Sequence, residues 1–583
     1  MNNVNEGLSD NSFIRGKLLS AHRSGTTLQC IEEFCRDVEV PEDDLGRELA
    51  LLHNTSAFDV VELFSNIKKS ESSFTIFSML TVFEHMLPVI ENDVTSTLWC
   101  IRHLAQETGS CTTNPFVSFL VQAPNRPAEA LGIIKKTPEL HDLLPATLIA
   151  GFRVSAPEYL EEAIQLTKAD HPNVRKQAVD AIGRFEWAVE NQPMEPVYVA
   201  LENMLGSEDE DEILAAIAET GVNLMKQDLP ETESERVMDI VNAAIGKGED
   251  QSLHTAASLL AFGGAKIPEA LTDKLLNHLS RVKPDNNALV SKIDHAMHRL
   301  IGAGIIDSTI RLLEYLIKER ELKPEALNST FRDIRGNATL LNKVSTKWLL
   351  GGDDSLCQAA RFLVGIGRGA NIPVDIDPTE LDVTNSGQMV FLARKACGYF
   401  FMNPVSAVSM LLAGLHLAQT SEVRRKIGQL ILNPLLINYP GKPRKYLKDR
   451  MESCSNEVQE ILREVEEALD EYFDTLNGID EIPELHPSQS EREAYHRFNS
   501  REMEASFKEA EKRSIFSALA TKQVLLYGKT LISYFQDGQG SEHRQEIPLS
   551  GHSIEVEYPR MAHLDPVGLE YQLAMLRVER RNE

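Results

Sequence analysis

Aromatic residues are only 6 % of this 583-residue sequence, and no apolar run approaches the roughly 20 residues that span a bilayer. The most apolar stretch, 405–418, is broken by Ser406, Ser409 and His416. It predicts a buried helix with Asn403 as its cap and Pro404 in its first turn, so no membrane association is expected. Positive charge is also in short supply: 59 Lys and Arg face 87 Asp and Glu, a formal charge of −28. Such a surface repels polyanions, which excludes indiscriminate adhesion to nucleic acid or anionic lipid as a general mode. The seven cysteines (Cys30, Cys35, Cys100, Cys111, Cys357, Cys397 and Cys454) are odd in number and scattered. They compose neither a disulfide framework nor a CxxC metal knuckle, and they fit a reducing, cytoplasmic compartment. The N-terminus, MNNVNEGLSDNS, lacks the basic and apolar regions of a secretion signal and is expected to fray.

Recognisable chemistry is just as thin. Gly365-Ile-Gly-Arg-Gly369 has neither GxxxxGK(S/T) nor GxGxxG spacing and no strand–turn–helix context, so it predicts a helix running into a loop. His295 and His298 lie one helical turn apart beside Asp294. No third ligand follows at a fixed spacing, and Met297 and Leu300 mark that helix as core. No serine sits in a GxSxG elbow. The sequence therefore names no catalytic residue, no metal site and no cofactor.

Helical periodicity is what the chain has in abundance, on a composition that is 42 % hydrophobic and so apolar enough to fold. In residues 170–185, DHPNVRKQAVDAIGRF, Val174, Ala178, Ala181 and Ile182 fall on one helical face. Asp170 and Pro172 supply a cap and a first turn, and Gly183 comes where a second helix can approach closely. Glycines that follow small or apolar helices recur at Gly151, Gly183, Gly221, Gly263, Gly302, Gly365 and Gly398. They are 32 to 42 residues apart, with one gap of 63 that leaves room for an inserted or degenerate unit around 321–350. Partner helices are expected between them, at 159–168, 195–205, 231–245, 267–282 and 309–320. A period of this length with two helices per unit predicts a solenoid. One helix pair cannot bury its own apolar face, whereas stacked pairs bury a continuous one.

The unit around Asp170 resembles a HEAT repeat through its Val174–Arg175 pair, Ala178 and Gly183, and Ser421-Glu-Val-Arg424 begins a second, weaker match. The resemblance covers roughly residues 120–450 and implies an α-α superhelix of the kind that serves as scaffold, adaptor or nucleic-acid binder. The expected fold is all-α: a HEAT-like solenoid with a small α+β C-terminal appendage. Residues 1–120 are expected to form an irregular helical cap, 121–477 the repeats, 478–490 an acidic, Pro-containing linker and 491–583 the mixed C-terminal region. A regular amphipathic helix over 456–477 closes the repeats, its apolar stripe facing either the array or a partner. Beyond the linker, a charged helix is expected over 491–520 and a strand or helix over 524–535. A turn at 537–540, a strand over 552–558 and a final helix over 566–581 follow.

Against the acidic background, Arg424, Arg425, Lys426, Lys442, Arg444, Lys445, Lys448 and Arg450 cluster within 27 residues, with Tyr439 and Tyr446 among them. Cations so placed suit phosphates or an acidic protein face, and tyrosines can stack on bases. Their competing fate is to pair with the acidic helix just downstream. The expected function is a non-enzymatic scaffold or adaptor that holds a protein partner on the solenoid surface. A bacterial multi-protein system such as phage defence is the setting envisaged. The first alternative is a nucleic-acid-binding protein using the basic cluster. The second is an enzyme with its site at the junction of solenoid and C-terminal region, gathering several of His486, His496, His543, His552 and His563.

Overall fold

A computed structural model describes residues 7–36, 40–68, 73–109, 113–187, 194–227, 229–263, 267–365, 372–479, 488–512, 522–526, 530–536, 542–548 and 557–580. Among them the chain is helical apart from one three-stranded antiparallel sheet, and it divides into two compact units at Leu322/Lys323. No helix among the described residues is long and apolar enough to cross a membrane.

The first unit opens with α1 (Gly7–Ser24), α2 (Thr27–Arg36), α3 (Glu42–Asn54), α4 (Val60–Phe64) and α5 (Ser73–Met86). They continue into α6 (Val94–Thr108), α7 (Thr113–Val121) and α8 (Arg126–Ile134). Their seams are aliphatic and phenylalanine-rich, with Leu18, Leu49, Phe64, Phe83, Leu98 and Phe119 all fully buried. A regular two-layer pattern then begins. It comprises α9 (Leu144–Val154), α10 (Ala156–Leu166), α11 (Pro172–Arg184), α12 (Glu195–Ser207) and α13 (Asp211–Met225). It continues through α14 (Glu231–Lys247), α15 (Asp250–Phe262), α16 (Glu269–Leu279), α17 (Asn287–Gly302) and α18 (Ile306–Lys318). The odd-numbered helices pack in succession from α9 to α17, and the even-numbered ones do so from α10 to α18.

Local chemistry explains this registration. His171, and not the Asp170 expected from the sequence, caps α11: its Nδ1 accepts from Asn173 N at 3.2 Å. At Gly183 a Cβ would lie 2.9 Å from Thr220 Cα, so only glycine lets α11 and α13 cross there. The crossing is fastened by Thr220 Oγ1, which donates to Val179 O at 2.8 Å. Gly221 plays the same part on α14, where a Cβ would meet Val241 Cγ2 at 2.4 Å. Asp211, the first residue of α13, reaches sideways to cap α15 by accepting from the amides of Glu249, Gln251 and Ser252.

The second unit contains α19 (Asn328–Gly336), α20 (Ala338–Gly351), α21 (Asp354–Gly365), α22 (Ser386–Phe400), α23 (Pro404–Leu417) and α24 (Ser421–Leu430). After them come α25 (Lys442–Met451), α26 (Asn456–Asn477) and α27 (Gln489–Lys512). Here α20, α22, α24 and α26 pack in succession, while α19 lies on α21 and α23 on α25. Asn403 stands at the N-cap position of α23 but makes no side-chain cap hydrogen bond. The sheet consists of β1 (Lys522–Leu526), β2 (Thr530–Gln536) and β3 (Glu542–Pro548), in that order. The 524–535 stretch is thus a strand pair. Its outer neighbour is β3, which the sequence did not single out because EHRQEIP is a polar, edge-type strand without a clear alternation. Of the expected 552–558 strand, residues 552–556 lie outside the described residues, as do the 537–540 turn, most of the 478–490 linker and the glycines after Gly365.

The chain ends with α28 (Met561–Leu564) and α29 (Pro566–Val578), and α29 docks on α22. Leu569, Leu573 and Leu576 are buried there, and Leu576 Cβ comes within 3.1 Å of where a Cβ on Gly398 would stand. Arg577 Nε donates to Gly398 O at 2.9 Å, and the fully buried Lys395 donates its Nζ to Arg577 O. Upstream, the Glu557 carboxylate accepts from the amides of Gly441 and Lys442 and so caps α25.

Candidate interaction surface

The last carbonyls of an α-helix have no partner within it, and a cation near them is favourable. The even layer of the first unit satisfies them from the next helix along. Lys247, at the end of α14, donates to Leu205 O at 3.3 Å and to Glu208 O at the end of α12. Arg281, just past α16, donates to Ile245 O at 2.5 Å and Gly246 O at 2.9 Å at the end of α14. Arg320, just past α18, donates to Ser280 O at 2.8 Å at the end of α16. Side-chain rungs add to this ladder: Arg236 joins Glu195 and Glu202 at 2.6 Å, Lys274 joins Asp239 at 3.1 Å and Tyr198 OH donates to Glu233 at 2.8 Å.

Between these tied ends lie clefts. One of 420 Å³ lies between α12 and the turn that follows α10, with Arg175 of α11 at its edge, and takes Ala200, Asn203, Met204 and Ser207 from α12. Another of 420 Å³ separates α16 from α18 and takes Asp273, Leu276, Asn277 and Ser280 from α16, with Arg311 and Tyr315 from α18. In each set the spacing i, i+3, i+4 and i+7 places the four residues along one face of the helix, which on α12 looks back towards the turn after α10 and on α16 looks forward to α18. In the second cleft Asp273 Oδ1 is buried and accepts no hydrogen bond. Arg311 is held by Ser308 Oγ at 2.9 Å, and the Arg320 guanidinium lies 5.8 Å from the Tyr315 ring. The sequence did not single out these residues.

The basic cluster is largely tied to its own unit. Arg444 bridges Glu466 and Asp470 of α26, both at 2.6 Å, and Lys448 reaches Glu466 at 3.2 Å. The Glu466 hydrogen bond raises the Arg444 pKa further. Lys426 pairs with Glu422 at 2.8 Å along α24, and Arg424 is half-buried. Arg450 stacks on the Tyr446 ring at 3.7 Å. Tyr439 is fully buried against Phe401, which removes it from the surface where a base could stack; as an apolar body with a hydroxyl near Met402 Sδ, it serves the core instead. Arg425, Lys442, Lys445 and Arg450 remain exposed. Inward-facing Val458, Ile461, Leu462, Val465 and Leu469 seat α26 on its own unit.

Of the five histidines expected at a C-terminal site, His496, His543 and His563 are exposed, and His486 and His552 lie outside the described residues. The rings of His295 and His298 are 5.8 Å apart, and among the described residues no group of three potential ligands is placed to hold a metal. Burial pushes the thiols of Cys100, Cys357 and Cys397 up to about 12, which leaves them protonated and poorly nucleophilic.

No family model and no curated protein matches the chain. Among solved structures, an engineered protein is 11 % identical over 76 % of this chain and 98 % of its own, at a TM-score of 0.21. A likeness at that score carries no argument about fold or function.

Proposed function

We propose that the chain is a non-enzymatic scaffold or adaptor, a HEAT-like α-solenoid that holds an extended segment of a protein partner across the clefts of its even layer. The observation that carries this reading is a pair of clefts of equal volume along the even helices, one lined by Ala200, Asn203, Met204 and Ser207 of α12 and the other by Asp273, Leu276, Asn277 and Ser280 of α16. Repeated, shallow, mixed-polarity clefts suit a chain that crosses several of them in succession. Free thiols at all six described cysteines support a reducing compartment such as the cytoplasm.

The test is a pull-down with the tagged full chain, with and without nuclease, beside a variant carrying Asn203→Arg and Asn277→Arg. A stoichiometric protein that survives nuclease and is lost from the variant supports the assignment. A partner retained equally by the variant would remove the clefts from the account. Nucleic acid that co-purifies, and is lost with nuclease or salt, would transfer the function to the exposed part of the basic cluster.

A further inference from the structure

Helix α11 is capped by a side chain that can change its charge. His171 Nδ1 accepts from Asn173 N at 3.2 Å, and the same asparagine donates its Nδ2 to Asp142 Oδ1 at 3.3 Å. The usual capping residues keep an acceptor oxygen throughout the physiological range. An imidazole nitrogen accepts only while the ring is neutral, because the protonated ring has two donors and no acceptor. Imidazole takes up its proton at about pH 6.5, and a positive charge at a helix N-terminus is itself unfavourable.

A second histidine lies against the first. The His141 ring, in the short helical turn Pro138–Leu143, stands edge-on to the His171 ring with centroids 5.0 Å apart. It is buried, only 5 % exposed, and its Nδ1 has no hydrogen-bond partner. Burial first, and then His171, hold the His141 pKa below its ordinary value against the pull of Asp142 and Glu139. The charges on the surrounding helices are engaged. Arg102 of α6 joins Asp142 at 3.2 Å, and Arg175 and Lys176 of α11 join Glu208 and Glu212, both at 2.8 Å. Arg153, the one charge on α9, pairs with Glu186, while Lys168 and Asp170 stand exposed in the turn before α11. Asp142, already joined to the cap through Asn173, is the carboxylate beside the rings.

We propose that His141 and His171 form a proton-operated latch on the wall of the α12 cleft, closed while both rings are neutral and opened by acid. The turn that the latch secures supplies Thr167, Lys168, Ala169 and Asp170 to that cleft. In acid His171 loses its acceptor and turns to Asp142. The His141 ring beneath it then meets water, which satisfies Nδ1 and restores its ordinary titration. Opening therefore takes up as many as two protons, one per ring, and is steeper than a single histidine would make it. A histidine held below its ordinary value stabilises the closed form above about pH 6.5, and that contribution is lost as pH falls through the lower, folded value. Arg175 does not titrate and keeps its bonds to Ala169 O and Asp170 O, at 3.1 and 3.0 Å, so the turn loosens without detaching. Release of a partner by acid rests on the role proposed for the cleft; the latch does not.

The experiment is hydrogen exchange on the full chain from about pH 8 to about pH 5, across the imidazole range. It follows the amides of Asn173, Val174 and Arg175, all of which donate to His171. Wild type is divided by His171→Asn at each pH, so that the intrinsic pH dependence of exchange cancels; asparagine caps equally well and takes up no proton. The expected ratio is near one at the alkaline end and about 3- to 30-fold at the acid end, the worth of a helix cap. Against the same reference, His141→Phe should give a shallower rise, one proton in place of two. A ratio that stays flat with pH overturns the latch, and a rise equally steep in His141→Phe overturns the pairing of the rings. A partner that stays bound in acid while the ratio rises would remove the cleft from the account and leave the latch standing.

Discussion

Replacing Asp211 with alanine removes one carboxylate that serves two helices. Its Oδ1 accepts from Glu249 N at 2.8 Å, Ser252 N at 3.1 Å and Ser252 Oγ at 2.5 Å, and its Oδ2 accepts from Gln251 N at 2.7 Å. Loss of a helix cap costs about 0.5–2 kcal/mol, and loss of a negative charge beside a helix N-terminus a further ~0.3–1 kcal/mol. The fully buried Ser252 also loses its shortest bond. The expected cost is about 2–3 kcal/mol, localised at the start of α15. Hydrogen exchange is the suitable assay, because a long helical array need not unfold in one step. At neutral pH the amides of Glu249, Gln251 and Ser252 should exchange about 30- to 140-fold faster in Asp211→Ala than in the wild type. Burial alone would raise the Asp211 pKa, but the Ser252 hydroxyl and the amides of Glu249, Gln251 and Ser252 outweigh it and hold the carboxyl below its ordinary value. Stabilisation by Asp211 is therefore complete above the unfolded pKa and is lost as pH falls through the lower folded one. The difference between variant and wild type should shrink in acid and stay flat from neutral to alkaline pH. Equal exchange at these three amides in both proteins, or a difference that survives strong acid, would refute this account of the cap.

Arg281→Met keeps the aliphatic stem but removes the donors to Ile245 O and Gly246 O. It should loosen the end of α14 by about 1–2 kcal/mol, seen as faster exchange there, with a smaller change at the end of α16, where Arg281 Nε also donates to His278 O at 3.4 Å. Gly183→Val forces apart α11 and α13, where a Cβ already meets backbone; a destabilisation of about 1–3 kcal/mol should appear as a lower thermal midpoint. Gly302→Ala, with nothing within 4 Å, should stabilise the helix by up to ~1 kcal/mol of propensity and so raise that midpoint slightly. Since Arg444 is engaged with Glu466 and Asp470, fluorescence anisotropy at low salt should find no binding of single-stranded nucleic acid. Salt-sensitive binding abolished by Arg444→Glu alone would contradict the ion-pair assignment.

The helices were legible because their signals are local. The stripe Val174, Ala178, Ala181, Ile182 and the close approach at Gly183 need only the 3.6-residue period to be seen. Gly151, Gly221 and Gly398 likewise stand where a Cβ would meet a neighbouring side chain, whereas Gly302 marks a helix end with open space around it. One residue type at a regular interval thus had two physical causes, which spacing alone cannot separate. His171 took the cap from Asp170 because a ring nitrogen accepts an amide as an oxygen does, and cap statistics favour oxygens. The basic cluster was visible as composition, but whether its charges face water or carboxylates depends on how α25 lies against α26, a contact between segments. The clefts were invisible for a related reason. Asn203, Ser207, Asn277 and Ser280 are ordinary polar residues until two helices bring them to the edges of one groove.

The cations that close helix ends in the first unit all reach backwards, from Lys247 to α12, from Arg281 to α14 and from Arg320 to α16. Removing helices from the front of this row would leave a cation facing water, which costs little. Removing them from the back would strip the terminating donors from the helix that becomes last, leaving its carbonyls to solvent alone. Successive deletions from the two ends should therefore be unequal, and the row has a direction of assembly: each new pair finishes the one made before it, as translation delivers them.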